Sequence, residues 1–301
     1  MNQTLYRWTK RMLIVTGILI VLLFLVVIPV AGSFLITNSH FQYRERGPQT
    51  PEAVGLEVTP VRFRSSDGIE LQGWWSPGQE DKPVILFCHG LNRSHLEMLD
   101  RAAEANRHGF GILLFDFRNH GQSERAYMTL GINERRDVCA ASKAVQDRAP
   151  SRPQVLWGVS LGASTAILAA KQCPNFKAII ADSSFLSFRE TVAHHLTLLF
   201  RLPSFPIANL IVGLTGVRMG VNPDDGDVEQ AVKSLPNVAM LFVAGGRDKR
   251  MPPALAERLR KASTNPRSEM LLVPNATHGE AYATDKELYL DTVFAFLGRA
   301  L

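Results

Sequence analysis

Three residues of this chain have types and an order that amount to a chemistry: Ser160, Asp248 and His278. A serine hydroxyl is a poor nucleophile at neutral pH and needs a base, usually a histidine held by a carboxylate. Ser160 lies in Val155-Leu156-Trp157-Gly158-Val159-Ser160-Leu161-Gly162-Ala163, where an apolar run enters a Gly-x-Ser-x-Gly pentapeptide and leaves into a small-residue, helix-forming segment. That is the pattern of a nucleophile elbow. A strand turning sharply into a helix strains the serine backbone and leaves no room for side chains two residues away, which accounts for Gly158 and Gly162. The turn also sets the hydroxyl beside a helix N-terminus, where developing negative charge is stabilised. The expected chemistry is acyl transfer, which calls for neither a metal nor an organic cofactor.

The pentapeptide alone is short, and its context carries the reading. Gln154 to Gly158 reads as a buried strand and Leu161 to Lys171 as an apolar helix. Behind such an elbow the partners come in the order Ser, Asp, His, on loops after later strands. Val238 to Ala244 is a strand followed by Gly245-Gly246-Arg247-Asp248, and Met270 to Val273 is a strand followed by Pro274-Asn275-Ala276-Thr277-His278-Gly279. Asp248 and His278 therefore fall where an orienting acid and a general base belong. Asp182, after the preceding strand, is the rival acid. His40, His95, His108, His194 and His195 do not follow a late strand. An oxyanion needs two backbone N–H donors, one after the nucleophile and one after an earlier strand. Leu161 supplies the first. Val84 to Cys88 ends in His89-Gly90-Leu91, which makes Leu91 the second and His89 a turn-stabilising residue.

These loops require a sheet to position them. Val58 to Arg64 and Ile69 to Trp75 read as a hairpin around Ser66-Asp67-Gly68. Apolar runs follow at Val84 to Cys88, Gly111 to Phe117, Gln154 to Gly158, Ala178 to Ala181, Val238 to Ala244 and Met270 to Val273. Helical patterns separate most of them, at Leu96 to His108, Asn133 to Asp147, Leu161 to Gln172 and Pro253 to Ala262, with a last helix at Asp285 to Leu301. The expected fold class is α/β: a mostly parallel sheet of eight strands with helices on both faces. Ser183 to Pro236 is too long for an α/β connection and reads as an insertion. Its apolar pieces, Leu196 to Leu202 and Ile207 to Leu214, suggest a helical cap over the site; a plain pair of packing helices and a surface dipping into a membrane are the alternatives.

The chain has 301 residues, of which 46% are hydrophobic and 20% charged, enough for a large core with one atypical end. From Met12 to Ser39 there is no charged residue, and Met12 to Val30 is almost wholly apolar, long enough to cross a ~30 Å hydrocarbon layer. A signal peptide is the alternative, since small residues Ala31, Gly32 and Ser33 follow, but the apolar core exceeds the ~7–15 residues of a signal core. Arg7, Lys10 and Arg11 precede the run, which places the N-terminus in the cytoplasm and the rest across the membrane. The expected organisation is a cytoplasmic N-terminus over 1–11, a transmembrane signal anchor over 12–36, a linker over 37–56 and an α/β domain over 57–301 with its insertion at 183–236. Those three basic residues supply three of the five net positive charges, too little remaining to argue for nucleic acid. Cys88, Cys139 and Cys173 have no zinc spacing and read as buried thiols, with no obligatory disulfide expected.

Six blocks in order (Gly73-Trp74-Trp75, His89-Gly90, Asp116 to Ser123, Gly158 to Gly162, Gly246-Arg247-Asp248 and His278-Gly279) give the chain a resemblance to the α/β-hydrolases. It is most similar to the membrane-anchored group related to the bud-emergence hydrolases and to prolyl-oligopeptidase-type serine hydrolases. The resemblance covers roughly Glu57 to Leu301. It implies that Arg118, Asn119 and His120 anchor a structural loop beside the site. Where many of that group carry a small, Asn- and Gly-rich run after Gly90, this chain has Leu91-Asn92-Arg93-Ser94, so its pocket differs. The function expected is a membrane-anchored serine hydrolase of a small-molecule or lipid-like acyl ester or thioester. A peptidase of the same fold and a catalytically silent scaffold are the alternatives, and protein partners cannot be named from sequence.

Overall fold

A computed structural model describes residues 3–38, 47–173 and 175–301. The chain opens with a helix, α1 (Gln3–Leu22), which continues through a π turn (Leu23–Val27) into α2 (Ile28–Asn38). Leu5–Asn38 forms one helix of 34 residues with an apolar stretch long enough to cross a membrane and mostly exposed. The helix thus overruns the expected 12–36 at both ends, and Thr37, expected in a linker, is buried within it. Of that linker, residues 39–46 lie outside the described residues, as does His40.

Eight strands follow: β1 (Thr59–Arg64), β2 (Glu70–Ser76), β3 (Val84–Cys88), β4 (Gly111–Phe115), β5 (Gln154–Val159), β6 (Phe176–Asp182), β7 (Ala239–Gly245) and β8 (Glu269–Val273). They form one sheet in the order β1-β2-β4-β3-β5-β6-β7-β8. β1 pairs antiparallel with β2, and β2 antiparallel with β4; every later pair is parallel. β3, β4, β5 and β7 are buried at every position, as expected of strands covered on both faces. The helices α3 (Leu99–Arg107), α4 (Glu134–Arg148), α5 (Leu161–Gln172), α9 (Pro253–Ala262), α10 (Ala281–Thr284) and α11 (Lys286–Ala300) supply that cover. The resulting core has two sides. One joins Leu86, Leu156 and Phe242 to the small residues of α5, and the other joins Ile85, Trp157 and Leu241 to α3 and α11.

The insertion holds α6 (Phe188–Phe200), α7 (Ile207–Met219) and α8 (Val228–Lys233). Only the first two stand apart, around a cluster of Phe188, Val192, Leu196, Ile207, Ile211 and Val212. Val228, Ala231 and Val232 of α8 return to the main core, so the separate layer is shorter than 183–236.

One expectation is overturned here: Cys139 and Cys173 are joined by a disulfide, with Cα atoms 5.8 Å apart. Cys139 lies on α4 and Cys173 just beyond the end of α5, and these neighbouring helices bring together residues 34 apart in sequence. Cys88 stays a buried thiol, and burial raises its pKa well above the usual range. Closing a loop of this size contributes on the order of 3 kcal/mol through the unfolded chain. Replacing Cys139 and Cys173 together by serine is expected to lower the unfolding free energy by about 2–4 kcal/mol in urea titrations. An unchanged midpoint would show that the bridge adds nothing.

Candidate active site

The site grows from the end of β5. Ser160 has φ +53° and ψ −114°, a conformation that a side-chain-bearing residue adopts only when its surroundings force it. Two close approaches do so. A Cβ on Gly158 would lie 2.5 Å from the carbonyl carbon of Gly162, and one on Gly162 would lie 2.0 Å from the carbonyl oxygen of Cys88. The first turn of α5 is therefore pressed against both its own strand and the end of β3. The Ser160 N–H donates to the carbonyl of Asp182 at 2.8 Å, tying the turn to the neighbouring strand.

Ser160, His278 and Asp248, expected from three separate loops, are brought into one hydrogen-bonded chain. The Ser160 hydroxyl lies 2.8 Å from His278 Nε2, and His278 Nδ1 lies 2.7 Å from Asp248 Oδ2. Asp248 Oδ1 accepts the N–H groups of Arg250 and Met251, both at 2.8 Å, so the carboxylate acts there as an acceptor and is fixed in place. An acceptor-only carboxylate requires Nδ1 to carry the imidazole proton, which leaves Nε2 free to accept from Ser160. The loops carrying Asp248 and His278 are stitched together by main-chain bonds from Gly246 to Val273 and from Arg247 to Ala276, each 2.9 Å.

The N–H groups of Leu91 and Leu161 donate to no protein acceptor among the described residues. The pairing of Cys88 with Gly158 sets the loop after β3 beside the elbow, so both donors belong to adjacent strand ends. A web of side chains fixes that loop. Glu97 accepts from Gly90 N–H at 2.6 Å, and His120 Nε2 accepts from Asn92 N–H at 3.1 Å. His89 Nε2 accepts from Phe117 N–H at 3.0 Å, and its Nδ1 lies 2.8 Å from the carbonyl of Gly90. Burial, with His120 beside it, drives the His89 pKa down to about 3, so the ring is a neutral turn-holder. Arg118 belongs to the same framework, forked onto Asp137 (2.6 Å) and Asp67 (2.7 Å).

The rival acid is elsewhere. Asp182 is fully buried beneath the elbow, and its carboxylate accepts from the Ser183 hydroxyl at 2.9 Å rather than from His278. Burial pushes its pKa up, against the pull of Arg101. Ser183, which the sequence did not single out, has φ +57° and accepts the N–H of Gly279 at 3.1 Å, one residue from His278. Its only sequence signal is its place at the first position past a strand. His194 and His195 lie on α6 above the same loop: His194 Nε2 is 2.9 Å from the carbonyl of Lys249, and Arg250 Nε is 3.5 Å from His195 Nε2. His95 contacts Asp116 and His108 stacks on Phe294.

Sheet order, elbow and converging loops define an α/β-hydrolase fold. Residues 79–231, half of the chain, match the family described as serine aminopeptidase, S33, and the chain belongs to that hydrolase family. The uncharacterized protein YqkD of Bacillus subtilis is 26% identical over 245 residues, 80% of each chain. The uncharacterized membrane protein YNL320W of Saccharomyces cerevisiae is 22% identical over 252 residues, 82% of each. Among solved structures, the Pyrococcus furiosus esterase Pf2001 shares the fold with a TM-score of 0.70 at 24% identity, over 86% of this chain and 99% of that one. An acylaminoacyl peptidase of Pyrococcus horikoshii gives 0.60 at 18% identity, over 81% of this chain and 42% of the peptidase.

The contact at Gly162 generates a test of the elbow. Gly162→Ala is expected to cost about 1–3 kcal/mol and to displace the Leu161 N–H, since the obstructing atoms are backbone. Thermal unfolding checks the first effect; a variant as stable as the wild type would refute the close approach.

Proposed function

We propose that the chain is a membrane-anchored serine hydrolase that cleaves a carboxylic ester or thioester through an acyl-enzyme on Ser160. The observation that carries this reading is the unbroken chain from Asp248 through His278 to Ser160, at 2.7 and 2.8 Å, beside two undonated N–H groups. Ser160 Oγ attacks the acyl carbon as His278 Nε2 takes its proton, and Asp248 orients the ring and stabilises the imidazolium. The N–H groups of Leu91 and Leu161 receive the oxyanion. His278 then returns the proton to the departing alcohol or thiol. Water enters, activated by the same nitrogen, and releases the acid. An amide is the alternative scissile bond, favoured by the family's description and by the likeness to a peptidase.

Anchoring by an uncleaved helix is supported by what its small residues do. Gly32 packs on Ile211, and Ser33 is buried, accepting from Thr215 at 3.0 Å and Arg218 at 2.7 Å. The cluster that resembles a cleavage site thus has a packing role, as small residues do at helix contacts. A catalytic domain outside the cytoplasm fits both the basic residues before the span and the Cys139–Cys173 bridge, since disulfides persist in oxidising compartments.

A fluorophosphonate probe is expected to label the wild type but not Ser160→Ala, and an unlabelled wild type would sink the serine-hydrolase reading. On a short p-nitrophenyl ester, Asp248→Asn is expected to lose on the order of 10⁴ in kcat, because the wrong histidine tautomer results. If Asp182→Asn produced that loss while Asp248→Asn did not, the acid would be misassigned. A reporter active only outside the cytoplasm, fused after Leu301, is expected to be active; silence there with an active cytoplasmic reporter would reverse the topology.

A further inference from the structure

The covered face of the anchor recurs along one side, with Phe24, Ile28, Gly32 and Ile36 half-buried and Pro29, Ser33 and Thr37 buried, while Leu5 to Leu23 stand exposed. Helix α7 is what covers that face. Ile211 meets Gly32, Thr215 meets Ser33, and Arg218 reaches Ser33 and Thr37, so the two helices run in the same direction. Because α7 also touches the π turn, its N-terminal end lies level with Leu23–Val27. A ~30 Å hydrocarbon layer beginning at Met12, at 1.5 Å per residue, ends near Ala31. The start of α7, and with it the α6–α7 turn, then lies about 10 Å inside that layer.

The surface presented there is apolar. Leu199, Phe200, Phe205 and Leu210 are exposed large hydrophobic side chains, Phe205 at 74%. From Thr191 to Asn222 the charged residues are Arg201 and Arg218, with no acid among them. Arg218 is spent on Ser33 and on the ring of Phe34, and Arg201 is exposed at the tip, on a stem of the kind that lets an arginine snorkel out of an apolar layer. The other end of this hairpin stands on the site, through His194 and the carbonyl of Lys249, the neighbour of Asp248. From His194 to Phe200 is about 9 Å of helix.

We infer that the α6–α7 hairpin is inserted in the lipid bilayer beside the anchor, and that the site takes long-chain acyl lipids directly from that layer. The bilayer is favoured over a protein partner because the patch is continuous with a lipid-facing helix. The substrate half of this inference rests on the proposed serine hydrolase; the insertion half does not.

The test uses the full chain in phosphatidylcholine vesicles, with a nitroxide at Phe205→Cys, a lipid reference at Leu25→Cys and a water reference at Glu257→Cys. Phe205 is expected to match Leu25 in its preference for oxygen over a water-soluble nickel complex. Matching Glu257, or being shielded from both reagents as under a protein partner, would overturn insertion. In a second arm, Phe200→Asp with Phe205→Asp is expected to lower hydrolysis of a vesicle-borne long-chain acyl ester about tenfold or more while a short soluble ester keeps its rate within about twofold. Equal rates on the vesicle ester, or equal losses on both, would overturn delivery from the bilayer. If the wild type hydrolyses neither ester, the ester-hydrolase reading and delivery of acyl esters from the bilayer both fail, and the nitroxide at 205 still decides insertion.

Discussion

The backbone of Gly162 lies so close to the carbonyls of Cys88 and His89 that the start of α5 and the end of β3 share one surface. The rest of the site depends on this contact. It strains Ser160 into φ +53°, it sets the Leu161 N–H and the loop of Leu91 side by side, and it leaves no space for a side chain between helix and sheet. Strain of this kind costs of order 1–3 kcal/mol and persists only when the surroundings over-determine it. Here they do: β5 is buried between β3 and β6, and α5 is buried at ten of its twelve positions, from Leu161 to Ala170.

The same economy explains how much of the structure could be read in the sequence. Continuous apolar runs in strands covered on both faces leave a strong signal, so all eight strands were placed within a few residues, and the loops of Asp248 and His278 followed from strand order. The disulfide was missed because its proximity is tertiary: Cys139 and Cys173 are ordinary members of two apolar helical patterns until α4 and α5 pack together. Ser183 was missed for a related reason. Its hydroxyl matters through Gly279, 96 residues away, and no local pattern encodes that bond. The docking of α7 on the anchor was hidden by the helix itself. An apolar face covered by protein and one exposed to lipid have the same composition, so no amphipathic stripe distinguishes them.

Polar groups fix the height at which the anchor docks. Ser33, Thr37 and Thr215 are fully buried, and Arg218 bonds to the first two while its guanidinium sits 3.5 Å from the centre of the Phe34 ring. The anchor's last turn is also tied to the globular domain by the bond from Met128 N–H to the carbonyl of Thr37 at 3.0 Å. Apolar packing between the two helices would tolerate sliding; these directional bonds do not. Helix α2 is therefore a fixed strut, and the run before Phe24 is left exposed.

The two acids near His278 show why position decides function. Asp248 is held by two backbone N–H groups on Oδ1, which leaves Oδ2 to meet His278 Nδ1. Asp182 accepts from the Ser183 hydroxyl, and burial raises its pKa. Arg101 counters that cost from beneath, its guanidinium 4.5 Å from the centre of the Tyr282 ring, and the Tyr289 hydroxyl accepts from Trp157 at 3.1 Å in the same layer. Asp182 is thus built into the floor under the elbow, where its carbonyl holds Ser160 and its carboxylate holds Ser183, which in turn holds Gly279. A carboxylate placed there serves the geometry of His278 without touching it, and leaves the contact with His278 Nδ1 to Asp248.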